Sequence, residues 1–305
     1  MARALRTLFF GTSDFAVPSL HAVAEVADLA GVVTQPDRRA GRGQKLVPSP
    51  VKTAALKYGV PIHQPQALRE FAKDVGSETF DLFVLASYGR ILPGELLRAP
   101  RLGALNVHPS LLPRYRGATP IQNALRDGVT ETGVTIMLMD EGMDTGDIVL
   151  QNAISIGPDE TYGVLHDRLA IAGAQLLEAA IELLAEGRAT PFPQNGAASV
   201  TKPLRKEDLL VDWMQPAPRI AAFVRSLAPA PLARANLCQT PVKLVRARAS
   251  GESASGEPGV PVRPAADGRG VLVPCGAGVL EIEELIPPNR GPLSGAQFYA
   301  TYATR

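Results

Sequence analysis

Cysteine is almost missing from this chain. Cys238 and Cys275 are the two present in 305 residues, far apart and outside any Cys-x-x-Cys pair, so neither a disulfide framework nor a zinc cluster organises the fold, no metal is expected, and a reducing cytoplasm suits it best. Aromatic residues are few as well. With one Trp, six Tyr and nine Phe, a surface that stacks RNA bases on rings is not expected. No apolar run reaches the roughly 18–20 residues that span a bilayer, which excludes a membrane protein. The start MARALRTLFFG is too short and lacks a small-residue cleavage site for a secretory signal, and it reads as a first strand. An excess of one charge is missing too: 31 Lys and Arg face 30 Asp and Glu, unlike a generic nucleic-acid binder or an acidic solvating tail. What remains is 46% apolar and 20% charged residues, an ordinary globular composition. At roughly 100–200 residues per domain, the length suits two domains.

The runs at 4–11, 30–35, 81–88 and 104–108 are short and largely apolar, as strands buried on both faces are. Helical spacing lies between them, from Phe15 to Ala27, Pro50 to Tyr58 and in ILPGELLRA. That alternation predicts an α/β fold with a Rossmann-like, doubly wound, mostly parallel sheet. It continues with a helix around Thr119 to Arg126, a strand at 133–140 and a run at 147–156. Leu165, Leu169, Ala172, Leu176, Ala180 and Leu184 then recur at three- and four-residue spacing until Gly187, which predicts a long amphipathic helix. Residues 188–204 have a linker's proline and small-residue content. Domain one is therefore expected at 1–187 and domain two at 205–305. The latter, with a helix at Gln215–Leu227 and short strands such as PVKLVRAR, GVLVPC and VLEIEELI, reads as a small, OB-like β-barrel.

The segment ALNVHPSLLPRYRGATPIQ carries the most chemistry. Strand alternation puts Asn106 and His108 on one face, and Pro109 ends the strand directly after them. In an open α/β sheet that carboxyl edge is where ligands bind, and an amide donor with an imidazole can stabilise an oxyanion and move a proton. The loop MDEGMDTGD leaves the same edge and offers Asp140, Asp144 or Asp147 to orient the imidazole; spacing does not choose among them. His21, His63 and His166 stand singly and read as structural or exposed. GTSDF is not the dinucleotide fingerprint G-x-G-x-x-G, AGRGQK is not a P-loop, and no His-Glu-x-x-His or Gly-x-Ser-x-Gly occurs. QPDRRAGRGQKLVPSP is a basic, glycine-punctuated loop suited to a phosphate backbone.

FFGTSDFAVPSL, TQPDRRAGRGQKLVPSPVK, ASYGRILP, LNVHPSLLPRYRGATPIQ and ETGVTIMLMDEGMDTGDI together closely resemble the methionyl-tRNA formyltransferase family. The likeness is ordered and covers nearly all of the first domain. Asn-x-His, Ser-Leu-Leu-Pro and the Asp-x-Gly-Asp loop are shared with other enzymes that use 10-formyltetrahydrofolate, including glycinamide ribonucleotide formyltransferase. The basic loop followed by LVPSPVK looks like the tRNA-acting branch. KPLRKEDLLVDW and LEIEELIPPNRGPLSGAQFY extend the likeness into the second domain, which departs at SLAPAP, where the family usually places a tryptophan between the prolines. The resemblance implies a catalytic trio of Asn106, His108 and Asp144. It implies a tetrahydrofolate-binding segment at Ser110, Leu111, Leu112 and Pro113, with Ile91 and Leu92 in the part that lines the pterin pocket. It also implies that Arg42, within a basic set of Arg38, Arg39, Arg42 and Lys45, meets the acceptor end of initiator tRNA. The implied activity is formyl transfer from 10-formyltetrahydrofolate to methionyl initiator tRNA, without metal, by a cytoplasmic monomer.

Other readings use the same residues: a formyltransferase acting on an amino sugar nucleotide, a non-catalytic RNA-binding protein, or a nicotinamide dehydrogenase, against which the absent glycine fingerprint speaks. The near-neutral total also conceals a polarity. Residues 1–200 carry 18 basic against 21 acidic side chains and residues 201–305 carry 13 against 9, so a basic second domain is expected to hold RNA.

Overall fold

The computed structural model of the chain describes residues 4–40, 43–75 and 79–303. The chain forms two compact units, one of residues 1–117, 131–155 and 166–200, the other of 118–130, 156–165 and 201–305.

The first unit is built on seven strands: Arg6–Gly11 (β1), Asp28–Val33 (β2), Ile62–His63 (β3), Leu82–Ala86 (β4), Ala104–His108 (β5), Glu131–Leu138 (β6) and Ile148–Ser155 (β7). Their order is β7-β6-β5-β4-β1-β2-β3. The pairs from β3 to β5 are parallel, while β6 runs antiparallel to β5 and β7 antiparallel to β6. This is the Rossmann-like, mostly parallel sheet that the apolar runs predict, because strands covered on both faces need apolar side chains pointing both ways. Every residue of β4 is buried. Phe10 and Phe83, with ring centroids 5.2 Å apart, anchor a core cluster with Phe71, Phe80 and Leu96. Strand order reverses between β1 and β4, and the carboxyl ends of such strands form the crevice where ligands bind in this architecture.

The alternation expected after residue 110 gives way to a β-hairpin, β6 and β7. A nine-residue connection is enough for antiparallel neighbours, whereas a parallel crossover needs a dozen residues or more. Other elements lie outside those expected. Within the basic loop, Arg38–Ala40 pairs antiparallel with Lys45–Val47. Leu68–Val75 is a helix that lays Leu68, Phe71 and Val75 on the core, a three- and four-residue spacing that was visible in LREFAKDV. The long helix runs Tyr162–Ala185 and stops where Gly187 takes φ +66°, with the Gly187 and Arg188 N–H groups donating to the Leu184 and Leu183 carbonyls.

The second unit holds the helices Pro120–Asp127 and Ala217–Leu227 and an antiparallel sheet ordered Ala233–Leu237, Thr240–Ser250, Val279–Ile286, Val271–Pro274, Arg263–Pro264, with Leu293–Ser294 added beside Val279–Ile286. Its core includes Val224, Leu227, Leu244, Val273, Ile282 and Phe298. The helix Gly295–Tyr302 follows, opened by a Ser294–Gln297 capping box. No helix among the described residues is long and apolar enough to cross a membrane.

Gly133 on β6 tests how tightly this hairpin is packed. A Cβ there would lie 2.2 Å from the Asn152 carbonyl oxygen on β7, and backbone cannot yield as a flexible side chain can. Gly133→Ala is expected to lower stability by about 1–3 kcal/mol in urea denaturation. Gly251→Ala, where nothing lies within 4 Å, should change it by less than about 0.5 kcal/mol.

Candidate active site

Strand β5 sorts its side chains by face. Val107 points to the long helix, where a Cβ on Gly173 would come within 2.8 Å of it, so that helix approaches the sheet closely. Asn106 and His108 take the other face at the carboxyl end. His108 is 4% exposed. Its Nε2 lies 3.0 Å from the Tyr115 carbonyl, and because a carbonyl only accepts, Nε2 carries the hydrogen and donates. That leaves Nδ1 as the ring atom turned toward the acidic loop.

The loop after β6 resolves the three aspartates by geometry. Asp140 spends its carboxylate inside the loop, accepting from Gly142 N–H at 3.0 Å and from the Thr145 hydroxyl at 2.7 Å. Asp147 is exposed, and its carbonyl accepts from Leu138 N–H. Asp144 turns inward: Oδ2 accepts from Gly117 N–H at 2.7 Å and stands 3.7 Å from His108 Nδ1, while Oδ1 accepts from Asn106 Nδ2 at 3.5 Å. Asp144 and Tyr115 both sit at positive φ, +53° and +58°, a conformation that costs a side-chain-bearing residue energy and persists where the surroundings impose it. At 3.7 Å the Asp144 carboxylate faces His108 Nδ1 beyond the length of a hydrogen bond, so Nδ1 retains room for a third group.

Sequence reasoning missed what holds this loop. Gln194 Nε2 donates to the carbonyls of Asp144 at 2.9 Å and Gly146 at 2.8 Å, and its Oε1 accepts the Arg116 fork at 3.1 and 2.7 Å. The Ser199 hydroxyl accepts from Tyr115 N–H at 2.8 Å. Nothing in PFPQNGAASV signals this, because its partners are some 50 to 84 positions away.

The segment Ser110–Pro113 forms a braced turn beside β5. Ser110 is fully buried and its hydroxyl donates to the Arg114 carbonyl at 2.6 Å. Thr135 Oγ1 donates to the Ser110 carbonyl at 2.7 Å and accepts from Leu112 N–H and Gln151 Nε2 at 3.2 and 2.8 Å. Leu112 joins Met137 and Ile148 in the core, and Pro113 is buried while Leu111 is half-exposed. Leu92 is buried in the main cluster and Ile91 stands out at 86% exposure. Arg98 donates to Glu141 at 2.7 Å, tying the segment after Leu92 to the acidic loop.

In the basic loop, Arg38, Arg39 and Lys45 are exposed on the short ladder, Arg38 contacts Gln35, and Arg42 lies outside the described residues. At its base Lys52 Nζ donates to Asp37 at 2.8 Å and to Gln64 at 2.8 Å. Hydrogen bonds from Lys52 and then Gln64 hold the Asp37 carboxyl below the ordinary range. Among the described residues no group of three or more His, Cys, Asp or Glu is arranged to hold a metal ion.

A formyl transferase family model matches residues 5–181, and the formyl transferase C-terminal domain model matches 203–303. The chain belongs to the formyl transferase family. Within that family it is 45% identical over 300 residues to the methionyl-tRNA formyltransferase of Geobacter metallireducens, covering 97% of this chain and 95% of the relative. To that of Xanthomonas euvesicatoria it is 46% identical over 286 residues, 92% of each. Among solved structures, an N-formyltransferase from Helicobacter canadensis in complex with folinic acid and dTDP-3-aminofucose shares the fold at TM-score 0.68 and 17% identity, covering 92% of this chain and 99% of that one. Glycinamide ribonucleotide transformylase 1 from Symbiobacterium toebii aligns with TM-score 0.53 at 26% identity over 62% of this chain and 91% of its own.

Thr135 and Asp37 each make a contact whose worth can be measured. Thr135→Val removes the hydroxyl shared by the Ser110 carbonyl and Leu112 N–H, and urea denaturation should show a loss of about 1–3 kcal/mol, the cost of stranding buried polar groups. The folded Asp37 value is the lower one, so the Asp37–Lys52 contribution is complete above the ordinary carboxylate range and is lost as pH falls through the folded value. The stability difference between wild type and Lys52→Met should therefore be largest near neutral pH and shrink in acid. A difference that stays constant with pH refutes this linkage.

Proposed function

We propose that this protein transfers the formyl group of 10-formyltetrahydrofolate to the α-amino group of methionyl initiator tRNA, acting as a cytoplasmic monomer without a metal. The observation that carries the reading is the convergence of an amide, an imidazole and a carboxylate at the end of β5, with Asp144 facing both Asn106 Nδ2 and His108 Nδ1. The 43–46% identity to proteins named methionyl-tRNA formyltransferase supports the choice of acceptor. The first unit acts as the catalytic domain. The antiparallel second unit, read as an OB-like barrel, carries the basic excess of residues 201–305 and holds the tRNA.

The residues present suit such a donor. Ile91 at 86% and Met143 at 53% exposure are large apolar side chains left open, on the segment and loop joined through Arg98 and Glu141, as a flat heteroaromatic ring requires. When bound, the donor supplies an electrophilic formyl carbon on nitrogen. Asn106 Nδ2 then donates to the oxygen that becomes negative as that carbon turns tetrahedral. His108 holds its hydrogen on Nε2 against Tyr115 and presents Nδ1 to the reacting groups. An α-amino group titrates near about 7.7–8.0, so much of it is already neutral and weak base assistance suffices. The His108–Asp144 pair takes the proton that the attacking amine sheds and returns it to the departing nitrogen. The buried turn Ser110–Pro113 keeps the end of β5 in place, and Arg38, Arg39, Arg42 and Lys45 offer cations to the tRNA acceptor end.

The purified protein, incubated with 10-formyltetrahydrofolate and either methionyl initiator tRNA or an amino sugar nucleotide, should formylate the tRNA. Formylation of the sugar alone would transfer the reading to that branch, and neither product would end it. Asn106→Ala should lower kcat by about 10²–10³-fold, the usual loss of one oxyanion donor; an Asn106→Ala protein of normal rate removes Asn106 from the chemistry.

A further inference from the structure

The chain from Phe192 to Ser199 is almost entirely exposed, so apolar burial does not hold it. Polar bonds do. At one end Phe192 exchanges two backbone hydrogen bonds with Ile148 at the start of β7, 2.8 and 3.0 Å long. At the other, Ser199 N–H donates to the Pro113 carbonyl at 3.2 Å and its own carbonyl accepts from Arg116 N–H at 2.9 Å. The strap reaches the site twice. Gln194 holds the carbonyls on either side of Thr145, with Asp144 at positive φ, and Arg116 in turn fixes the Gln194 amide so that its NH2 faces those carbonyls. Ser199 accepts from the N–H of Tyr115, the residue whose carbonyl takes His108 Nε2–H.

We propose that this strap is a positioning element for formyl transfer, with Gln194 acting through Asp144 and Ser199 acting through Tyr115 and His108. This rests on the reading of Asp144 and His108 as members of the catalytic trio. The geometry explains how an exposed loop keeps a residue in an unfavoured backbone conformation. The Asp144 carboxylate accepts from Gly117 N–H and Asn106 Nδ2 and its carbonyl accepts from Gln194, and losing the Gln194 bond frees the main chain so that the carboxylate can turn outward as Asp147 does. A positioning fault of this kind typically costs about 10²-fold in rate without a comparable loss in binding or stability.

The test uses the full-length protein and four variants: Gln194→Ala, Gln194→Glu, Asp144→Asn and the double variant Gln194→Ala/Asp144→Asn. Gln194→Glu keeps the Arg116 contact while losing both donors, and it serves as the readout should Gln194→Ala fail to fold. Both Gln194 variants should lower kcat by about 10–100-fold, with KM for donor and tRNA and the thermal midpoint close to wild type. The double variant should be no slower than Asp144→Asn, because both changes disable one unit. Wild-type kcat in Gln194→Glu, or multiplicative losses in the double variant, overturns the proposal. If Asp144→Asn is slow while the Gln194 variants are normal, the strap is merely structural and the functional reading stands. An Asp144→Asn protein of wild-type rate sinks the functional reading itself, and the proposal with it.

Discussion

The Gly117 N–H bond to the Asp144 carboxylate, 2.7 Å long, is the contact on which the site depends. It joins the loop after β6 directly to the segment after β5. Around it everything is directional. The carboxylate is turned toward Asn106 and His108, the Gln194 amide holds the main chain behind it, and the Tyr115 carbonyl takes the far side of the imidazole. An ionised acceptor makes the stronger class of hydrogen bond, which suits a residue kept at positive φ.

Beneath that contact the sheet supplies rigidity. Strand β5 is flanked by parallel β4 and antiparallel β6, with Leu85 opposite Asn106 on one side and Thr135 opposite His108 on the other. Thr135 then reaches into the turn at Ser110–Pro113. The segment that resembles a folate-binding motif thus has most of its polar groups committed inside the protein, and only Leu111 of its side chains is partly open. What this segment presents outward is shape more than free hydrogen-bonding groups. Of the two residues that the resemblance assigns to a pterin pocket, Leu92 belongs to the core while Ile91 is the open one.

The second unit follows a different logic, with antiparallel strands and two helices around a core of Val, Leu, Ile and Phe. Its strands at Arg263–Pro264 and Leu293–Ser294 are two residues long, too short to show a period of two. Ala233–Leu237, in which ARANL buries alternate residues, has only small apolar side chains before Leu237 and gives a weak signal for that reason.

By itself the sequence determined the elements whose burial is two-sided or strongly periodic: β1, β2, β4, β5, the long helix ended by Gly187, and the Asn-x-His pair at a strand end. These follow from local rules, since one strand's apolar run or one helix's apolar stripe is complete within the segment that carries it. Spacing left three aspartates open and the family resemblance pointed to Asp144; the tertiary structure alone decided that β6 and β7 fold back as a hairpin, and that Gln194, Arg116 and Ser199 meet the loop and turn beside Asn106 and His108. Those outcomes depend on hydrogen bonds between residues separated by tens of positions, and side-chain amides and hydroxyls in a proline-rich stretch carry no pattern that marks their partners. Local periodicity reports what a segment buries, and only the assembled fold reports what its exposed polar atoms meet.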